Sequence, residues 1–182
     1  RAAGSCVFPA RFMLIAAMNP CPCGNYGSRI TPCRCTAQQI QRYRNRISGP
    51  MLDRIDIHVE MGEVGYNDIA GRSCGEPSSA IRARVNAARA IQTRRYAGMG
   101  ILFNAQLTNR MMNQYCVLTS DAEALMKKAF AALKLSARAY TRLLKVSRTI
   151  ADLAGSEQIK AEHIAEAIQY RSLESKYWGE IK

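Results

Sequence analysis

A chain of 182 residues, 48% of them apolar, is long enough for one ordinary domain or two small ones with packed cores. It contains no run of about eighteen apolar residues, which excludes a membrane-spanning helix. The formal net charge of +12 suits either a polyanionic partner, such as nucleic acid or nucleotide phosphate, or a basic surface that only keeps the chain in solution.

In chain order, Arg1-Ala2-Ala3-Gly4 does not read as a signal peptide; it reads as the interior of a longer protein. Phe12 to Met18 is an unbroken apolar run, the pattern of a strand buried on both faces of a parallel sheet. It stops at Asn19-Pro20. Thr36-Ala37-Gln38-Gln39 predicts a capping box opening a short helix, with Ile40, Tyr43 and Ile47 inward and Arg42, Arg44 and Arg46 outward. Ser48-Gly49-Pro50 ends that helix and starts another turn, proline suiting its first position. Ile55 to Glu60 alternates and predicts a second strand. Residues 62–78, rich in glycine and polar residues, read as a linker.

Helical patterns follow. Residues 79–97 place Ile81, Val85, Ala88 and Ile91 on one face. A shorter pattern covers 106–116, and residues 120–134 open with a second capping box, Ser120 to Glu123. Residues 136–154 align Ala139, Leu143, Val146, Ile150 and Leu153, and 160–171 form a last helix around Ile164 and Ile168. The expected fold class is therefore a partial α/β core with a truncated parallel sheet over residues 1–75, followed by an all-α domain over 76–182.

Four of the seven cysteines cluster as Cys21-x-Cys23 and Cys33-x-Cys35, while Cys6, Cys74 and Cys116 are scattered. An odd count without a signal peptide points to a reducing cytoplasmic setting and a metal cluster rather than a disulfide scaffold. Four soft thiolates closing a short loop with Pro22, Gly24, Gly27 and Pro32 suit tetrahedral structural zinc. Free thiols are the alternative. No lysine precedes Lys127, so the first two-thirds of the chain carries its positive charge on arginine, whose planar fork suits phosphate.

Three further residues draw notice by position. Asn19 ends the first expected strand, where ligands of parallel sheets sit, or it simply turns the chain. Arg54 precedes the second strand, free to reach a neighbouring subunit or to pair with Asp53 or Asp56. Arg138 is a cation in the first turn of its helix, a place that favours anions, so a phosphate partner would explain it. Arg142 and Lys145 extend that basic face, which solvation alone also explains. His58 and His163 have no metal-like partner at useful spacing. The chain contains no Gly-Lys pair, hence no P-loop, and no apolar strand ending in Asp-Glu to hold magnesium.

These strings carry a resemblance. Phe12 to Glu60, with "NPCPCGNYGS" and "CRCTAQQIQRYRNRISGPMLDRIDIHVE", resembles the second half of the AAA+ core in the ComM/YifB branch of the magnesium-chelatase-like ATPases. "LSARAYTRLLKVSRTIADLAG" resembles that family's sensor-2 helix, and "IKAEHIAEAIQYR" its closing helix. The resemblance implies that Asn19 is the sensor-1 residue, Arg54 an arginine finger acting in trans and Arg138 the sensor-2 arginine. It implies ATP and Mg2+ as ligands of the full-length protein, a homo-hexameric ring, DNA as partner and branch migration in recombination or natural transformation as the activity. On this view the chain is a C-terminal portion whose Walker motifs lie upstream, and it is inactive alone. A truncated sheet would leave edges and apolar faces exposed, to be rearranged or covered by self-association. The competing expectations are a motor subunit of a magnesium-porphyrin chelatase and a stand-alone zinc-bearing nucleic-acid-binding module.

Overall fold

The structure, a computed structural model, describes residues 4–8, 10, 12–66, 70 and 75–178, with side chains to residue 171. Cys74 and much of the linker expected over 62–78 lie outside the described residues. Packing divides the chain into two compact units, Arg1–Arg46 and Ile47–Lys182.

In the first unit, α1 (Ala37–Arg44) begins where the sequence places it. Thr36 Oγ1 accepts from the Gln39 N–H at 3.2 Å, and Gln39 Oε1 accepts from the Thr36 N–H at 2.9 Å, so both orphan donors are satisfied. Ile40 is buried as expected, but Arg44 is buried too, against the expectation that it faces outward. Its guanidinium lies 4.6 Å from the Tyr26 ring centroid, and its Nε donates to the Pro20 carbonyl at 3.4 Å. A delocalised, weakly hydrated cation tolerates this site better than an ammonium would.

The second unit is helical. After the short α2 (Gly49–Leu52) come α3 (Ser78–Arg95), a 3₁₀ turn (Asn104–Gln106), α4 (Asn109–Tyr115), α5 (Ser120–Ala132), α6 (Ala137–Leu153) and α7 (Ala161–Trp178). The apolar stripe of α6 buries Ala139, Leu143 and Ile150 against α7 and α3, whereas Leu153 is exposed. Ile159, Ile164 and Ala167 close the core from the α7 side, and Ala122 and Met126 from α5. The cap of α5 falls one residue before the expected position: Thr119, not Ser120, accepts from the Ala122 N–H. An isolated parallel bridge between Leu118 and Ile159 ties the starts of α5 and α7 together.

The expected parallel sheet is absent: among the described residues no strand forms, and the α/β reading of residues 1–75 is corrected to an all-helical chain with irregular segments. Phe12, Met13 and Ile15 are 74%, 83% and 83% exposed. An apolar run records a capacity for burial, but a strand also needs neighbours that complete its ladder and cover its faces. None of the described residues does either for this run. Residues 55–60 likewise build no ladder among the described residues; the His58 N–H bonds the Tyr170 carbonyl at 2.9 Å. Ile57 and Val59 stay exposed.

Candidate functional site

The first unit gathers the four cysteines. The Cys21, Cys23, Cys33 and Cys35 sulfurs all lie within 4.8 Å of one another. Cys21 and Cys23 Sγ are 3.4 Å apart, Cys21 and Cys33 3.7 Å, and Cys23 and Cys33 3.6 Å. A zinc–sulfur bond of about 2.3 Å in a tetrahedron sets sulfurs roughly 3.8 Å apart, so the donor set fits that ion. Gly24, at φ +82°, closes the turn just after the first pair, and its N–H bonds the Cys21 carbonyl at 3.0 Å. A residue with a Cβ would be strained there.

Proton affinities within the cluster diverge. The Cys23 thiol, bonded first by the Asn25 and then by the Arg34 backbone N–H, is pulled down to about 6. Cys35 is pushed up to about 12, chiefly by desolvation and further by its three sulfur neighbours. Adjacent thiolates cannot all ionise without a cation between them, and a divalent ion removes that conflict. Cys116 stands apart, its thiol pushed up to about 11 by burial and therefore inert.

Asn19 is exposed, and among the described residues no strand precedes it, so its expected place at the carboxyl end of a sheet is not found. Its side chain lies instead over Gly24: a Cβ there would come 3.8 Å from Asn19 Nδ2.

In the second unit, Arg54 and Arg138 belong to one assembly. Arg54 is exposed in the turn after α2 and donates to the Pro50 carbonyl at 2.5 Å. Arg138 is exposed in the first turn of α6, where Ser136 caps the helix by accepting from the Ala139 N–H at 3.1 Å. The Arg138 guanidinium forms no hydrogen bond or ion pair among the described residues. One turn further along, Arg142 pairs with Asp56 and donates to the Arg54 carbonyl at 2.5 Å. Asp53 accepts from Ser136 at 3.5 Å and from the buried Arg171 of α7 at 3.3 Å. The segment carrying Arg54 is thus fastened to the helix carrying Arg138. Lys145 is engaged as well, with the Ala105 carbonyl at 3.0 Å, so only the first residue of the basic face expected on α6 is left to an external partner among the described residues.

Sequence reasoning missed the polar centre of this unit. Asp152, fully buried, accepts from Arg95 at 2.5 and 2.9 Å, from Asn104 at 2.8 Å and from Arg148 Nε at 3.1 Å. Arg148 spends its other donors on the Ser156 and Glu157 carbonyls. A charge spacing of i, i+4 between Arg148 and Asp152 was the available signal, but such pairs usually sit on the surface. His163 is buried and uses Nδ1 to accept the Lys160 N–H at 3.0 Å, a cap for α7 and no catalytic arrangement.

Comparison with known proteins adds a family context. Residues 75–171 match the model described as "Magnesium chelatase, subunit ChlI C-terminal", and residues 1–69 match that for "Magnesium chelatase, subunit ChlI". The chain is 44% identical to the competence protein ComM of Haemophilus influenzae over 95% of its own length and 33% of the relative's. It is 43% identical to YifB of Salmonella typhimurium over 92% of the chain and 32% of the relative, and 41% identical to YifB of Escherichia coli over the same shares. The chain thus spans about a third of the length of the curated relatives it matches. No helix among the described residues is long and apolar enough to cross a membrane.

Proposed function

Because the chain belongs to the magnesium-chelatase-like family of the ComM/YifB type, we propose that it is the sensing and trans-acting part of a ring-forming AAA+ ATPase that works on DNA. The observation that carries this reading is the fastening of the Arg54 segment to the first turns of α6. Two exposed guanidinia, Arg54 and Arg138, stand on one assembly joined through Arg142, Asp56, Asp53 and Arg171. Arg138, at the positive end of a helix, senses a phosphate of its own subunit's nucleotide. Arg54 reaches the neighbouring subunit and stabilises the charge that develops on its transferring phosphoryl group, an effect worth about 10³–10⁵ in rate. Asn19 serves as sensor 1 and orients the attacking water.

These 182 residues contain no P-loop pattern; on this reading the phosphate cradle and the magnesium ligands belong to other residues of the full-length protein, and the chain alone turns over no ATP. We assign structural zinc to Cys21, Cys23, Cys33 and Cys35, where a closed set of four thiolates leaves no position open for catalysis. The zinc would neutralise the clustered thiolates and hold the loop shut. A homo-hexameric ring acting in branch migration in the cytoplasm is the fuller form of the proposal. A chelatase motor is the competing reading, favoured by the family description itself.

The test joins this sequence to a P-loop-bearing segment and follows ATP hydrolysis. Arg54→Ala subunits should lose about a thousandfold in turnover while still binding nucleotide, and should recover when mixed with subunits whose P-loop is dead but whose Arg54 is intact. Arg54→Ala rings that hydrolyse ATP at the unaltered rate would refute the finger. Nucleotide-dependent movement of a branched DNA substrate supports the DNA reading. Magnesium insertion into a porphyrin in its place supports the chelatase.

A further inference from the structure

Charge is distributed very unevenly along this chain. Residues 1–52 contain seven arginines, no lysine and no aspartate or glutamate, whereas the other 130 residues carry 19 basic and 14 acidic groups. The first unit therefore has no internal counter-charge beyond the thiolates of its cysteine cluster. Four thiolates around a divalent cation would leave about two negative charges, short of neutralising seven cations.

Five of those arginines lie among the described residues. Of these, Arg44 alone turns inward, stacking on Tyr26 of the cysteine loop and bonding Pro20, so it ties α1 to the loop. Arg34 stands between two cluster cysteines, and its backbone N–H bonds Cys23. Arg29 and Arg34 on the loop, and Arg42 and Arg46 on α1 and just beyond it, are all exposed. Gln38, Gln41 and Asn45 line the same side of α1 as Arg42 and Arg46, giving neutral donors beside the charges. Uncompensated like charges on one small unit repel each other, and a polyanion that bridges them relieves the repulsion. Arginine forks with amide neighbours match the oxygens of a phosphodiester backbone, which position a protein without reading sequence.

We propose that the cysteine loop and α1 form the DNA-tracking surface of this protein, with Arg34, Arg42 and Arg46 contacting successive backbone phosphates. This deepens the DNA reading above and rests on it, while placing the contact on residues that no comparison assigns.

The experiment titrates a fluorescent 30-nucleotide DNA, single-stranded and duplex, with the intact 182-residue chain across salt concentrations. The variant Arg34→Gln/Arg42→Gln/Arg46→Gln is set against Lys127→Gln/Lys128→Gln/Lys134→Gln, which removes the same charge from exposed positions of α5 and its end. Helical content and bound metal are checked in both. The arginine variant should bind roughly tenfold more weakly or worse, and the slope of log K against log[salt] should shrink by about 0.9 for each lost duplex contact, or 0.7 for single strands. Replacing the same three arginines by lysine should keep most of that slope, and the α5 variant should behave as the unaltered chain. Equal losses in the arginine and α5 variants would overturn the location and leave the DNA reading standing. An unaltered chain with no salt-dependent DNA binding in either arm would overturn both.

Discussion

Residues 1–46 bury Cys21, Ile40 and Arg44 among those described, whereas residues 47–182 bury a continuous apolar core from Tyr96 through Leu143 to Ala167. The two units reach order by different means. A unit of that smaller size cannot remove enough apolar surface from water to offset its chain entropy, and metals or cross-links commonly supply the difference. The larger unit has a hydrophobic core and can afford a buried ionic centre at Asp152. On the proposed zinc assignment, stability in one is a matter of sulfur chemistry, and in the other of packing and charge pairing.

The comparison breaks most visibly at the cysteines. Cys33→Ser, or a strong chelator, should unfold the first unit outright, since structural zinc contributes about 10–16 kcal/mol in small domains. Hydrogen exchange by mass spectrometry should show residues 20–46 losing protection while 137–153 keep theirs. The next largest effect lies in the other unit. Asp152→Ala leaves Arg95 and Arg148 without their shared carboxylate, a loss of about 3–5 kcal/mol in urea unfolding, with the cysteine loop unchanged. Thr36→Ala removes the cap of α1 and should cost about 1 kcal/mol, seen as faster exchange in 37–44 alone.

The smallest effect is one of pH. Burial lowers the pKa of His163 below its ordinary 6.5, and the neutral ring accepts the Lys160 N–H. The unfolded chain therefore takes up this proton before the folded chain does. The contribution is full above pH 6.5 and is lost as pH falls through the depressed folded value. Urea midpoints for the second unit should fall below pH 6.5, and more shallowly in His163→Gln.

What the sequence made legible follows the same division. Helix positions in the second unit were readable because apolar residues recur at the helical period, although Ile81, Val85 and Leu153 of the expected stripes stay exposed, and the Thr36 box because its two hydrogen bonds are local. The four sulfurs were readable from spacing alone. Legibility failed where a partner decides the outcome. The run from Phe12 to Met18 has strand character, yet stays exposed without neighbours to pair with among the described residues. Arg44 was read as outward because Tyr26, the ring it stacks on, lies across the loop. Arg142 was read as solvated because Asp56 is 86 residues away in sequence. Thr119 displaced Ser120 as a cap by one residue, a choice that backbone geometry makes and sequence pattern does not.

Metal content of the purified chain, measured together with alkylation of its thiols, tests most directly the claim that sulfur and core hold the two units separately. The account predicts one zinc per chain, with Cys21, Cys23, Cys33 and Cys35 protected until a chelator is added and Cys6 reactive throughout. A metal-free chain whose first unit keeps its hydrogen-exchange protection while all four cluster thiols alkylate freely would contradict it.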